Sequence, residues 1–260
     1  MRRAYTAPMQ VLRSLVFMAW MYGLLLVMGL VWLPSLLLPR GVLLFGVRCW
    51  TRLVRWGLEV FCHIRTEIRG RQHLPEGAIL YAAKHQCMWD VFVPFLILKD
   101  PVITMKRELL WYPVIGWYAL KLRMIAIDRG GLAKTVKAML VQAAERAREG
   151  RQFVIFPEGT RHPPGVTAGY FSAGTGAFYK HLGVAAVPVA TNSGLCWPAK
   201  GILRRPGVIV FEILPPIEAG LNRKALMTRL EQAIEPASDA LLEEGLRHQD
   251  RQRMDLELAP

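Results

Sequence analysis

The chain's 260 residues allow one full domain with an appendage; two complete cores would be crowded. Its 33 Lys and Arg against 20 Asp and Glu give a net charge of +13, a balance that suits anionic lipid, a phosphorylated substrate or nucleic acid. Between residues 61 and 220 the basic residues are scattered, with no aromatic-interleaved stripe and no nucleic-acid reading motif, so nucleic acid is excluded and lipid and phosphate are favoured.

No charge interrupts the chain from Ser14 to Pro39, and Ser14 to Leu33 predicts a helix of about 30 Å, enough to cross a hydrocarbon core. The run is too long for a secretory leader and no small-x-small cleavage site follows it. Pro34 and Pro39 break it, and Val42 to Phe61 then predicts an amphipathic helix whose polar stripe is Arg48, Arg52, Arg55 and Glu59. That helix is expected at a membrane interface, anchored by Trp50 and Trp56. Arg2, Arg3 and Arg13 precede the apolar run, and Arg40 and the stripe follow it. The positive-inside rule keeps both flanks on the cytoplasmic side, which a re-entrant hairpin satisfies and a single span does not. A buried core helix is the competing reading.

Residue 62 marks a change to short apolar runs alternating with helical stretches. This pattern predicts an α/β fold: a mainly parallel mixed sheet with flanking helices, over residues 62–260, preceded by a membrane-associated helical segment over 1–61. Strands are predicted at Ala78 to Ala83, Val102 to Met105, Met124 to Ile127, Phe153 to Phe156, Ala185 to Ala190 and Val208 to Leu214. One helix is predicted from Ala133 to a stop at Gly150, and a second from Ala173 to Leu182. A third, carrying Leu226, Leu230, Ala233 and Ile234, is predicted to be interrupted at Pro236. Cys49, Cys62, Cys87 and Cys196 form no C-x-x-C pair and no metal-binding spacing, so reduced thiols and no metal are expected.

The chemistry begins directly after the first strand, at His85-Gln86-Cys87-Met88-Trp89-Asp90. Five positions put two side chains about 140° apart on a helix and on opposite faces of a strand, so His85 and Asp90 can meet only across a strand-to-helix turn. If they meet, the carboxylate holds one imidazole nitrogen and leaves the other free as a general base. Three further motifs follow: Lys106-Arg107-Glu108-Leu109 running to Pro113 and Gly116, then Ile127-Asp128-Arg129, then Phe156-Pro157-Glu158-Gly159-Thr160-Arg161. His85, Lys106, Arg129 and Glu158 each come just after a predicted strand. Parallel strands would deliver all four to one carboxyl edge, where open α/β sheets bind ligands.

In order and spacing these motifs resemble the glycerolipid acyltransferase family, and most closely its 1-acylglycerol-3-phosphate acyltransferases, over about residues 60 to 220. The resemblance implies transfer of a fatty acyl group from acyl-CoA or acyl carrier protein to the sn-2 hydroxyl of a lysophospholipid, with no cofactor beyond the donor. His85 is then the base and Asp90 its orienting carboxylate. Arg161 matches the family's phosphate-binding arginine, Lys106 opens a motif to which a second phosphate contact is attributed, and Arg129 is a further candidate by position. Glu158 is expected to shape the acceptor site or to hold Arg161; Gly159, beside Thr160, allows a turn or close backbone approach, and amides near it are candidate oxyanion donors. Cys87 is a competing covalent nucleophile. The resemblance also implies attachment at the cytoplasmic face of a bacterial inner membrane. Two other readings remain: a different acceptor, such as lyso-ornithine lipid, and a non-catalytic membrane-associated binding protein. His162-Pro163-Pro164 departs from the family pattern after Arg161, and Tyr170 and Phe171 fit the aromatic run expected beyond it.

Overall fold

The computed structural model describes residues 7–127, 133–167, 169–170 and 173–257. Helix α1 (Ala7–Val31) and helix α2 (Arg40–Cys62) are joined through a 3-10 turn at Leu33–Leu36. They pack as an antiparallel hairpin: the Trp20 indole lies on Gly57, where a β-carbon would stand 2.5 Å from it, and donates to the Leu53 carbonyl at 3.1 Å. α1 is not the core helix of the competing reading. Ser14, Phe17 and Met21 are buried, with Phe17 meeting the Trp197 ring edge-on, but Leu26, Val27, Leu30 and Val31 face outward.

The polar stripe on α2 does not face headgroups throughout, as the sequence had suggested. Arg48 donates to the carbonyls of Phe95, Leu98 and Lys99, and Arg55 to that of Thr66, so these side chains satisfy carbonyls around the end of the helix Pro94–Ile97 and one inside the strand Ile64–Arg69. Trp50 is likewise no anchor, being buried with its ring 4.7 Å from Phe92. Trp56 stays exposed beside Trp20 and Phe61.

Strands β1 (Ile64–Arg69), β2 (Leu80–Ala83), β3 (Pro101–Lys106), β4 (Ile125–Ile127), β5 (Gln152–Ile155), β6 (Ala186–Thr191) and β7 (Gly207–Ile213) make a seven-stranded sheet in the order β1-β7-β6-β2-β5-β3-β4. From β6 to β4 all neighbours are parallel, while β7 runs antiparallel to β6 and parallel to β1. β2, β5 and β6 are buried at every position, as strands covered on both faces must be. Helices α3 (Trp89–Phe92), α4 (Pro94–Ile97), α5 (Ile115–Lys121), α6 (Ala133–Arg148), α7 (Ala173–Leu182), α8 (Ser193–Cys196) and α9 (Arg223–Glu257) complete the layers.

β1 was not predicted. The interruption at Pro236 does not occur, and α9 runs through it for 35 residues. A proline inside a helix removes one N–H and crowds a carbonyl, at about 3 kcal/mol. Here Pro236 lies on the exposed face, while Ile234, Glu235, Ser238 and Leu241 are buried against the sheet and hold the turn on both sides.

Candidate active site

β2 ends in Ala83, and the chain turns through residues 84–88 before α3 begins at Trp89. Asp90, in the first turn of α3, folds back over this bend. Its Oδ2 accepts from the amides of Gln86 and Cys87, both at 2.7 Å, and lies 3.1 Å from His85 Nδ1. The expected meeting across a strand-to-helix turn is therefore present. An ionised carboxylate only accepts, so Nδ1 carries the proton and Nε2 keeps a lone pair. Asp90 is enclosed, whereas the His85 side chain retains 11% of its exposure. The imidazole stacks on Phe156 at 4.0 Å, fixing its plane.

Cys87 Sγ lies 3.4 Å from Asp90 Oδ1. Burial first, and then the Asp90 charge, push the Cys87 thiol well above its ordinary range. It is thus an S–H donor to the carboxylate rather than a thiolate nucleophile.

Glu158 does not hold Arg161, the second of the two expected roles; its carboxylate turns to the end of β2. Its Oε2 accepts the His85 amide at 2.8 Å and its Oε1 the Lys84 ammonium at 3.3 Å, with the side chain fully enclosed. Burial raises the Glu158 carboxyl, and the neighbouring Glu235 adds to the rise; the His85 amide and Lys84 oppose it. Lys84 also meets both oxygens of Glu235, on α9, at 2.7 Å. Glu235 accepts further bonds from Tyr170, at 2.6 Å, and Thr167, at 3.1 Å. A buried ammonium between two carboxylates thus ties together the end of β2, the 158–170 loop and α9.

Gly159 has φ +73°, the conformation that favours glycine, and its amide donates to the Phe156 carbonyl at 3.0 Å. That amide closes the turn, so of the amides near Gly159 its own is engaged by a carbonyl. Thr160 and Arg161 follow on the exposed loop. The next amide, of His162, donates to the His85 carbonyl at 2.9 Å, which brings the two motifs side by side. Lys106 stands exposed at the end of β3, across β5 from β2. Asp128, Arg129 and Phe171 lie outside the described residues. Among the described residues no cluster of three His, Cys, Asp or Glu side chains is placed to hold a metal ion.

Sequence reasoning missed Lys84, Glu235 and the hydroxyl of Tyr170. Lys84 was visible as a cation ending an apolar strand, a position that demands a buried partner. Nothing local pointed to Glu235 as that partner.

A family model described as Acyltransferase matches residues 65–192. Over 235 residues the chain is 33% identical to the 1-acyl-sn-glycerol-3-phosphate acyltransferase of Pseudomonas aeruginosa, covering 88% of this chain and 90% of that protein. The chain belongs to the acyltransferase family. Another relative is the lyso-ornithine lipid O-acyltransferase of Pseudomonas aeruginosa, 30% identical over 204 residues, with 70% of this chain and 77% of that protein covered. The acyltransferase fold matches the crystal structure of the 1-acyl-sn-glycerophosphate (LPA) acyltransferase PlsC from Thermotoga maritima. The TM-score is 0.69 at 21% identity, over 89% of this chain and 95% of that one.

Proposed function

We propose that this acyltransferase moves a fatty acyl group from the thioester of acyl-CoA or acyl carrier protein to the sn-2 hydroxyl of 1-acylglycerol 3-phosphate, making phosphatidic acid. The carrying observation is the His85 Nδ1 to Asp90 contact at 3.1 Å, with the carboxylate held by two backbone amides. An alcohol is a weak nucleophile near neutral pH and needs a base as its bond to carbon forms. His85 Nε2 takes the hydroxyl proton while the oxygen attacks the thioester carbonyl carbon. As the tetrahedral intermediate collapses, the carbon–sulfur bond breaks and the thiolate leaves with the proton from Nε2. Asp90 stabilises the intervening imidazolium. Arg161 and Lys106, with Arg129, are assigned to the acceptor's phosphate, beside Gly159 and Thr160.

In this reading residues 1–61 attach the enzyme to the membrane and 62–260 carry the chemistry. The outward apolar face of α1 supports attachment. The return of α2 alongside it, with arginines at both ends, supports re-entry from the cytoplasmic face of a bacterial inner membrane.

An assay of the purified chain with labelled acyl-CoA and acyl carrier protein against lysophosphatidic acid, lyso-ornithine lipid and glycerol 3-phosphate tests the proposal. Phosphatidic acid should form fastest. Faster turnover of lyso-ornithine lipid, the reading favoured by the second relative, replaces the acceptor; no transfer to any of them ends the enzymatic reading.

A further inference from the structure

The 3-10 segment Arg107–Trp111 and helix α5 form an apolar surface that the reaction does not use. Trp111 is 82% exposed and Leu120 61%, with Tyr112 and Trp117 also open to solvent. Soluble surfaces seldom gather large apolar groups in this way unless something covers them. Side chains this exposed are not enclosed in an acyl groove.

Two observations select the occupant. The first is continuity with the outer face of α1. The Tyr118 hydroxyl donates to the Gly29 carbonyl at 2.6 Å, and α5 packs on the 3-10 turn of the hairpin and on α2. The patch therefore adjoins Leu30 and Val31, which are themselves exposed. The second is composition: tryptophan and tyrosine beside leucine are the side chains that settle at headgroup depth, with an apolar body and one polar atom. Val114, a β-branched residue at φ 65° and ψ −57°, sits between the 3-10 segment and α5 in a conformation such residues rarely adopt. The bend it makes sets the direction of α5.

We propose that residues 109–120 are a second membrane contact, seated at the headgroup level of the leaflet that holds the α1–α2 hairpin. The proposal rests on the attachment reading of α1. Because this segment follows Lys106 directly, the contact places the assigned phosphate end of the site against the bilayer surface, where a lysolipid can enter without leaving it.

The test uses the full chain carrying one fluorescent thiol label at a time, introduced by Trp111→Cys, Leu120→Cys, Leu30→Cys on α1 or Leu246→Cys on α9, with the unsubstituted chain as the labelling blank. Vesicles of phosphatidylethanolamine and phosphatidylglycerol carry a shallow nitroxide lipid, and iodide probes the water side. Labels at 111 and 120 should lose iodide quenching and gain nitroxide quenching, as the label at 30 does, while the label at 246 stays open to iodide. If 111 and 120 behave like 246 while 30 is shielded, the second contact is refuted and the hairpin attachment stands. If 30 also stays open, the attachment reading fails and this inference with it. Shielding at 111 and 120 before vesicles are added, in a chain that sediments as a dimer, assigns the patch to a second copy and overturns the proposal. Where a labelled chain does not fold, Trp111→Ser combined with Leu120→Ser is expected to weaken vesicle partition of the full chain, and unchanged partition counts against the contact.

Discussion

His85 and Arg161 stand on loops joined by a backbone hydrogen bond one residue beyond the arginine, yet the two are held in opposite ways. The histidine is fixed at its amide by Glu158, at its carbonyl by His162, and at its ring by Asp90 and Phe156. Arg161 is exposed, as is Lys106, and neither forms an ion pair among the described residues. In the proposed mechanism the base must be in place when the proton moves, and a histidine held at four points meets that need in advance. For cations proposed to meet a phosphate, remaining hydrated until the phosphate arrives is the matching arrangement, since pairing them earlier would place a competitor in the site.

The contrast breaks most directly at the base. His85→Ala should reduce kcat by roughly 10² to 10⁴ with the fold intact, the usual contribution of general-base catalysis, and Asp90→Asn should also lower it strongly. Near-normal single-turnover rates in His85→Ala would remove the histidine from the reaction. Next comes the ion cluster beneath it. Lys84→Met leaves two carboxylates enclosed without their cation and should lose about 3–5 kcal/mol of stability in urea unfolding. Glu235→Gln, which leaves one ammonium with one carboxylate, should lose less. Small and equal losses would show that the 158–170 loop is held by other means.

At the binding end the expected effect is smaller and selective. Arg161→Lys should lower kcat/KM for lysophosphatidic acid by a factor matching about 1.5 to 3 kcal/mol, because an ammonium cannot reproduce a forked pair of donors. The acyl-donor KM should move much less, and Lys106→Ala and Arg129→Ala should follow the same pattern at smaller size. If donor and acceptor constants shift together, the cations are not phosphate ligands.

A pH measurement separates the site from the attachment of the hairpin. Burial would raise the Asp100 carboxyl, but its bonds to Arg40 of α2 and the charge of Arg151 outweigh that and hold it below the usual carboxylate range. A carboxyl lowered in the folded state contributes stability above its unfolded pKa, about 3.9, and that contribution is lost as the pH falls through the folded value. Acid unfolding should therefore begin at higher pH in Asp100→Asn, and an unchanged acid limb would show that this staple carries no weight. The smallest effect is expected of Cys87→Ser, which keeps a donor near Asp90 and should retain most activity. A trapped Cys87 acyl-thioester that turns over would reverse that assignment.

How far the sequence carried differs between these regions for physical reasons. Strands β2, β5 and β6 are buried on both faces, so unbroken apolar runs announced them, and the helix Ala173–Leu182 has the bounds its periodicity predicted. β1 escaped notice because Arg65, Glu67 and Arg69 alternate with Ile64, Thr66 and Ile68 and leave no continuous apolar run. The His85–Asp90 pair was legible from local spacing. Glu158 was legible as a motif residue but not in its role, since the sequence does not show which atom a carboxylate will accept from. The orientation of the α2 stripe was hidden likewise: Arg48, which caps the carbonyls of Leu98 and Lys99, looks in sequence like an arginine facing lipid headgroups.

Lys84 and Glu235 are separated by 151 residues along the chain. During synthesis α9 is made last, and until Glu235 leaves the ribosome Lys84 has, of its two carboxylate partners, only Glu158. The ordering of the catalytic bend thus waits on the last long helix. A chain cut short before α9 keeps the apolar helix α1 but lacks the carboxylate that completes the Lys84 clamp behind His85.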